Sequence, residues 1–143
     1  MTYIAFADVV RRTIYMLLKE SWIYIADGTN IRWVRIFHLY KGFFRKVTTQ
    51  SYFVKGSARV VESPRIEYKG FKYKFNIKGD ISRLLIVRHN RNNVSLDGSL
   101  TLIPTNAGIT IKKKSNPRSK FIYGPTNYQL RRKKFLTLYK YII

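Results

Sequence analysis

The 143-residue chain contains no cysteine, which excludes both a disulfide framework and a thiolate metal site. Acidic side chains are also scarce, because 7 Asp and Glu stand against 28 Lys and Arg. The two histidines, His38 and His89, lie far apart in the sequence, with no third type of metal ligand beside them. The sequence therefore predicts neither a metal site nor a bound cofactor.

The features that an enzyme would need are missing as well. The seven acids are scattered, so that no two of them would share one helix or strand at the spacing of a general acid and its base. No glycine-rich loop of the P-loop or dinucleotide-binding type occurs. The longest apolar pattern, in the first twenty residues, is interrupted by charges well before the length of a membrane span. We therefore expect a protein that is not an enzyme, has no catalytic residues and does not enter a membrane.

The excess of cations gives a formal net charge of +21 at pH 7. Such a charge disfavours the compact state through self-repulsion, so it indicates a polyanionic partner such as nucleic acid. With 45% hydrophobic residues, the chain can nevertheless build one core. The cations are spread along the sequence instead of forming a tail, which predicts a folded surface that contacts phosphate groups.

Local patterns predict a mainly β domain behind an N-terminal helix. Helical spacing of apolar residues favours a helical extension over residues 1–20, and residues 21–143 form the main domain. Strands are expected at 22–26, 31–37, 51–61, 81–87 and 109–111, with a hairpin turn at Asp27 to Asn30. Gly56 marks a bulge or a close approach of two strands. The strand at 81–87 is apolar enough to be buried on both faces.

Two segments leave a choice open. Glu67 to Phe75 alternates lysines with aromatic residues, which either stack on unpaired bases or form one buried face with the lysines in solvent. We favour burial, because it alone explains a period of two. Around Asp97-Gly98, a two-residue loop would pair Leu96 with Ser99. A loop one residue longer pairs Leu96 with Leu100 and Val94 with Leu102, which brings the four apolar residues to one face, and we expect this register.

From Ser21 to about Thr137 the chain resembles the universal large-subunit ribosomal protein fourteen family. The motifs that carry the resemblance occur in order and at nearly the family's spacing. They are Ile25-Ala26-Asp27, Lys78-Gly79-Asp80, Leu84 to Arg88, Asp97-Gly98-Ser99, Asn106-Ala107, Asn116-Pro117-Arg118, Ile122-Tyr123-Gly124-Pro125 and Leu130-Arg131. Residues 45–76 align poorly, and residues 1–20 extend beyond the family's usual start.

The resemblance implies a small closed five-stranded β-barrel with a C-terminal loop and short helices at about 116–135. It implies a structural constituent of the large ribosomal subunit that binds large-subunit rRNA and contributes to the intersubunit face. The implied partners are large-subunit protein nineteen, small-subunit rRNA across an intersubunit bridge, and factors that inhibit subunit joining. The added segments and an A+T-like composition suggest a mitochondrial ribosome and an organelle-encoded protein. The alternative is a free single-stranded nucleic-acid-binding protein with an OB-like barrel.

The expected rRNA contacts are the dispersed cations, which should meet mainly phosphate and sugar because they lie outside any base-reading motif. They are Arg32, Arg35, Lys41, Arg45, Lys46, Lys55, Arg59, Lys78, Arg88, Arg91, Lys112, Lys113, Lys114, Arg118 and Lys120.

A partner-facing loop is expected after the last strand, because its two prolines should break strand pairing and Thr126 can cap a short helix. Its residues are Asn116, Pro117, Arg118, Tyr123, Gly124, Pro125, Arg131 and Arg132. The apolar residues expected to point into the barrel are Ile23, Ile25, Val34, Ile36, Leu84, Ile86 and Ile109.

Overall fold

The computed structural model describes residues 17–40, 42, 46–63, 76–90, 92–94, 97–112, 116–119, 122–126 and 139–142. These residues form eleven strands and no helix. The strands are β1 Leu17–Leu18, β2 Trp22–Ile25, β3 Ile31–Leu39, β4 Val47–Thr48, β5 Phe53–Val61, β6 Ile81–Arg88, β7 Asn92–Val94, β8 Leu100–Leu102, β9 Ala107–Ile111, β10 Ile122–Thr126 and β11 Tyr139–Ile142. Residues 1–16 of the helix expected over residues 1–20 and the aromatic segment 67–75 lie outside the described residues. Of the region expected to hold short helices, about 116–135, the described residues 116–119 and 122–126 form no helix, and residues 127–135 lie outside the description.

Five of these strands, β2, β3, β5, β6 and β9, close into a barrel. Each barrel strand pairs antiparallel with the next barrel strand in this order, and β9 closes the barrel by pairing parallel with β2. The turn from Asp27 to Asn30 joins β2 to β3, as its residue types predict. The expectation of a mainly β fold with a closed five-stranded barrel is confirmed.

The barrel interior is filled by side chains that alternate along the strands. Six of the seven residues expected to point inward are fully buried in one cluster, namely Ile23, Ile25, Val34, Ile36, Leu84 and Ile86. Ile109 is also buried, but it packs in a second cluster with Leu85 and Val87 of β6 and Ile122 of β10. The inward position on β9 is taken by Gly108, where an added β-carbon would lie 3.2 Å from Cδ1 of Ile23. Strand β6 is thus buried on both faces over its second half, as its sequence predicts.

Gly56 is a point of close approach between β5 and β3. A β-carbon at this position would lie 2.9 Å from the carbonyl oxygen of Arg35 and would collide with Val34. The pairing changes register at the same point, because Ile36 lies opposite Gly56 while His38 lies opposite Lys55. One extra residue on β3 therefore forms a bulge against Gly56.

The expectation that the two prolines break strand pairing after β9 is wrong. Pro117 forms an isolated bridge with Ile111, and Pro125 lies within β10 opposite Tyr141 of β11, in a parallel two-stranded sheet. A proline lacks only its own N–H and is tolerated where that group is not needed, as on the edge of a small sheet. Thr126 is the buried last residue of β10.

Two further expectations are corrected by short strand pairs. Leu17–Leu18 pairs with Val47–Thr48, so these two residues are extended, and Leu17 is buried in the core instead of forming the end of a helix. In the β7–β8 hairpin, Val94 lies opposite Leu100, so the expected pairing of Val94 with Leu102 is wrong. The Asp97 carboxylate accepts hydrogen bonds from the N–H and hydroxyl of Ser99, which keeps residues up to Ser99 in the turn.

Candidate nucleic-acid interface

The structure places nine of the fifteen expected rRNA-binding cations and sorts them by their surroundings. Arg32, Arg35, Lys46, Lys55, Arg59, Lys78, Arg88, Lys112 and Arg118 are described. Lys41, Arg45, Arg91, Lys113, Lys114 and Lys120 lie outside the described residues, as do Arg131 and Arg132 of the expected partner-facing loop.

Two arginines of β3 form ion pairs within the protein. Arg32 meets Glu62 through Nε and Nη2, each 2.6 Å from a carboxylate oxygen, and the hydrogen bond to Glu62 raises the pKa of Arg32. Arg35 Nη2 lies 2.5 Å from Glu20 Oε2. All four side chains are partly exposed, and such surface pairs are typically worth about 1 kcal/mol or less. A phosphate can therefore compete for these arginines, but only against a carboxylate that is already in place.

Arg88, at the end of β6, is buried instead of facing solvent. Its Nη1 donates to the carbonyl oxygens of Tyr123 at 2.8 Å and Pro125 at 3.3 Å. Gly124 between them has φ of 88°, and a β-carbon there would collide with the guanidinium. Arg88 therefore holds β10 against the barrel, and we leave it out of the nucleic-acid interface.

The remaining described cations of the expected set have no carboxylate partner among the described residues. They are Lys46, Lys55, Arg59, Lys78, Lys112 and Arg118. Arg118 is positioned by a neutral contact, because its Nη1 donates to Asn76 Oδ1 at 2.7 Å. Asn30 holds Asn76 in turn, because its Nδ2 donates to the main-chain carbonyl of Asn76 and its Oδ1 accepts from Asn76 Nδ2, so the guanidinium is fixed at one end of the barrel.

The described part of the expected partner-facing loop lies on the outside of the barrel and is tied to it by backbone hydrogen bonds. The N–H of Lys112 donates to the carbonyl of Asn116 at 2.6 Å, and the N–H of Arg118 donates to the carbonyl of Thr110 at 3.1 Å. The N–H of Tyr123 donates to the carbonyl of Ala26 at 2.7 Å, while its side chain is 60% exposed. This segment thus presents side chains outward from a fixed backbone.

A buried carboxylate anchors the barrel beneath this segment. Asp27 follows β2 and accepts hydrogen bonds from the N–H and hydroxyl of Thr110 on β9, at 2.8 and 2.6 Å. Its other oxygen accepts from the N–H and hydroxyl of Thr29. The end of β2, the hairpin turn and β9 are joined through this one side chain.

Comparisons with known proteins identify the family of the chain. A family model described as ribosomal protein L14p/L23e matches residues 16–141. The chain belongs to this family. It is 34% identical over 122 residues to the large ribosomal subunit protein uL14m of Tetrahymena pyriformis, a mitochondrial protein, in a match that covers 85% of this chain and 95% of that relative. The chain is therefore a structural ribosomal protein and not an enzyme, which confirms the family indicated by the motifs.

Sequence reasoning missed one cation of this L14-family barrel. Arg83 interrupts the apolar run of β6 and stacks on Phe53, with its Cζ 4.2 Å from the ring centroid, and it lies 5.4 Å from the centroid of Tyr40. A charged residue at a solvent-facing position of an otherwise buried strand is the signal that could have identified it.

Within the described parts of the L14-family chain, no group of three His, Asp or Glu side chains is arranged to hold a metal ion. Nor do those residues contain a helix of the length and hydrophobicity that a membrane span needs.

Proposed function

We propose that this L14-family protein binds large-subunit rRNA, mainly through phosphate and sugar. The observation that carries the proposal is the shortage of carboxylates, since the chain has 7 Asp and Glu for 28 Lys and Arg. Of the described acids, Glu20 and Glu62 are paired with arginines, and Asp27, Asp80 and Asp97 accept hydrogen bonds in turns. Little negative charge is left for the remaining cations, so an external polyanion supplies it.

The contacts that we propose are the cations without a described carboxylate partner, together with the expected ones that lie outside the described residues. Arg32 and Arg35 contribute less, because each would have to leave its glutamate. Since phosphate contacts carry no sequence information, binding is expected to depend on RNA shape and salt more than on base identity.

The binding proposal is tested with the purified full chain and a fragment of large-subunit rRNA, by fluorescence anisotropy at increasing KCl. Lys112→Ala and Arg118→Ala should each lower the slope of log affinity against log salt by about one unit, by the same amount for RNAs of different sequence. A strong dependence on base identity at one position would contradict phosphate readout. If the unmodified protein does not bind the rRNA fragment, the proposal is refuted.

We also propose that the protein acts in the mitochondrion. The T. pyriformis relative is a mitochondrial large-subunit protein, and this supports the assignment. Coding by the organelle's own genome is supported only by the A+T-like composition. Sedimentation of the tagged protein with the large subunit of mitochondrial ribosomes tests the location, and exclusive sedimentation with cytosolic subunits would refute it.

The segment from Asn116 to Arg132 is proposed to face the small subunit, because its described part lies outside the barrel on a fixed backbone and carries Arg118 and the exposed Tyr123. Its partners there would be a protein like large-subunit protein nineteen, small-subunit rRNA and inhibitors of subunit joining. Replacing Arg118 and Arg131 with Glu should lower the amount of monosomes while the large subunit still forms. The control is a double change of Arg59 and Lys78 to Glu, which alters the net charge equally and removes two proposed rRNA contacts that lie outside the segment. If both double variants behave alike, the segment has no special part in subunit joining.

A further inference from the structure

Three nitrogen-bearing side chains lie side by side across the outer face of β3, β5 and β6. Lys55 of β5 is directly opposite Arg83 of β6, and on its other side it is directly opposite His38 of β3. We call Lys55 and Arg83 the cation row, and His38 lies beside it. Directly opposite residues in an antiparallel pair have β-carbons about 4.5–5.5 Å apart, and like charges in such a pair are destabilising.

Nothing in the described protein neutralises the cation row. Lys55 and Arg83 have no carboxylate within ion-pair distance among the described residues. Arg35, which lies three residues before His38 on β3 and opposite Ser57 of β5, differs from the cation row. It has Glu20 as its own counter-ion. The two sites share one sheet, and they differ in whether the protein supplies the negative charge.

The Arg83 guanidinium is also held in place before any ligand arrives. It stacks on Phe53 at 4.2 Å and borders Tyr40, whose ring packs edge-on against His38 with centroids 4.9 Å apart. Stacking fixes the guanidinium through its face and leaves the N–H donors at its edge available to an acceptor. A phosphate offers several acceptor oxygens and binds two such donors at once.

We infer that the cation row is a binding site for a phosphate of the RNA backbone. Arg83 and Lys55 donate to the phosphate oxygens, and Phe53 and Tyr40 orient the guanidinium. This inference rests on the proposed binding of rRNA and adds Arg83 to the proposed contacts. Base stacking on Phe53 is disfavoured, because the guanidinium already covers one face of that ring.

The test uses the full chain with Lys55→Gln and Arg83→Gln, and Arg35→Gln as the matched control. Each variant loses one positive charge from the same sheet. With an rRNA fragment between 50 and 200 mM KCl, each row variant should reduce the salt slope by about one unit, so that this rise in salt weakens its binding about fourfold less than it weakens the unmodified protein. Arg35→Gln should change the slope much less, because its charge is already paired.

A second measurement separates binding from a structural role. Without RNA, Lys55→Gln should keep or raise the thermal midpoint, because it removes one of two opposed cations. A lower midpoint with an unchanged salt slope would assign Lys55 to the structure and overturn the inference. Equal slopes for Lys55→Gln and Arg35→Gln would overturn it too, while rRNA binding by the unmodified protein would stand. If Arg83→Gln does not fold because it has lost the stack on Phe53, the salt slope and thermal midpoint of Lys55→Gln alone test the inference.

Discussion

Replacing Asp27 should remove a large part of the protein's stability, because this carboxylate joins the two strands that close the barrel. Its side chain is 1% exposed and accepts four hydrogen bonds. Oδ2 accepts the N–H and hydroxyl of Thr110 at 2.8 and 2.6 Å, and Oδ1 accepts the N–H and hydroxyl of Thr29 at 3.0 and 2.5 Å.

The loss of free energy of unfolding in Asp27→Ala depends on which hydrogen-bond donors lose their acceptor. Both donors of Thr110 are buried, whereas Thr29 is half-buried and water can replace the carboxylate there. Each buried donor without an acceptor costs about 1–3 kcal/mol, so the loss at Thr110 alone is about 2–6 kcal/mol. The total free energy of unfolding of a typical domain is about 5–15 kcal/mol. Asp27→Asn should also be costly, since its amide N–H₂ would face N–H and O–H donors.

Urea unfolding of the full chain, followed by tryptophan fluorescence in about 0.5 M KCl to screen the net charge, measures this loss. Asp97→Ala is the matched control. Asp97 accepts the same pair of hydrogen bonds from Ser99 in an exposed turn, with no strand of the barrel attached to it. Asp27→Ala should lose far more free energy of unfolding than Asp97→Ala. Equal losses would refute the reasoning, because they would mean that the turn and not the closure of the barrel sets the cost.

Other expectations concern single contacts. Gly124→Ala should loosen β10, because φ of 88° disfavours a side chain and the β-carbon would displace the Arg88 guanidinium; faster hydrogen exchange at residues 122–126 would show it, and unchanged exchange would contradict it. Gly56→Ala should destabilise the barrel by about 1–3 kcal/mol in urea unfolding, because the added methyl meets Val34, and an equally stable variant would disprove the close approach. The hydrogen bonds from Ser99, the backbone one first, hold the pKa of Asp97 below its ordinary 3.8. The stabilisation from Asp97 is therefore complete at neutral pH and is lost only as the pH falls through the lower folded-state pKa. A carbon-13 NMR titration that gives an ordinary value would contradict this.

The barrel could be predicted from the sequence because its determinants are local. Alternating apolar residues place Ile23 and Ile25 on one face of β2, and the turn residues after them set the hairpin. Gly56 was recognisable because a glycine inside a strand usually marks a close approach. Ile109 packs in the second cluster instead of pointing into the barrel, and because all five positions of β9 are buried, its pattern does not show which face turns inward.

The details that the structure corrects have two causes. Some depend on contacts between residues that are distant in the sequence, and one depends on burial as the criterion for a strand register. The expected β7–β8 register would place Leu100 on one apolar face with its neighbours, yet Leu100 is 67% exposed, so burial does not select the register there. Pro125 was expected to stop pairing, but β11, which it joins, comes from the end of the chain. Arg88 is buried only because β10 folds over it, and nothing within β6 reveals that.

In a chain this basic, the positions of the few carboxylates are more informative about the interface than the positions of the cations. Arg35 and Lys55 are both partly exposed cations on adjacent strands of one sheet, and the sequence gives no reason to rank them. The fold separates them by bringing Glu20 to Arg35 and leaving Lys55 against Arg83. Because a cation that is paired internally releases fewer counterions on binding RNA, the phosphate contacts should concentrate where carboxylates are absent. The same fold that neutralises one part of the sheet thus keeps the other part charged for its partner.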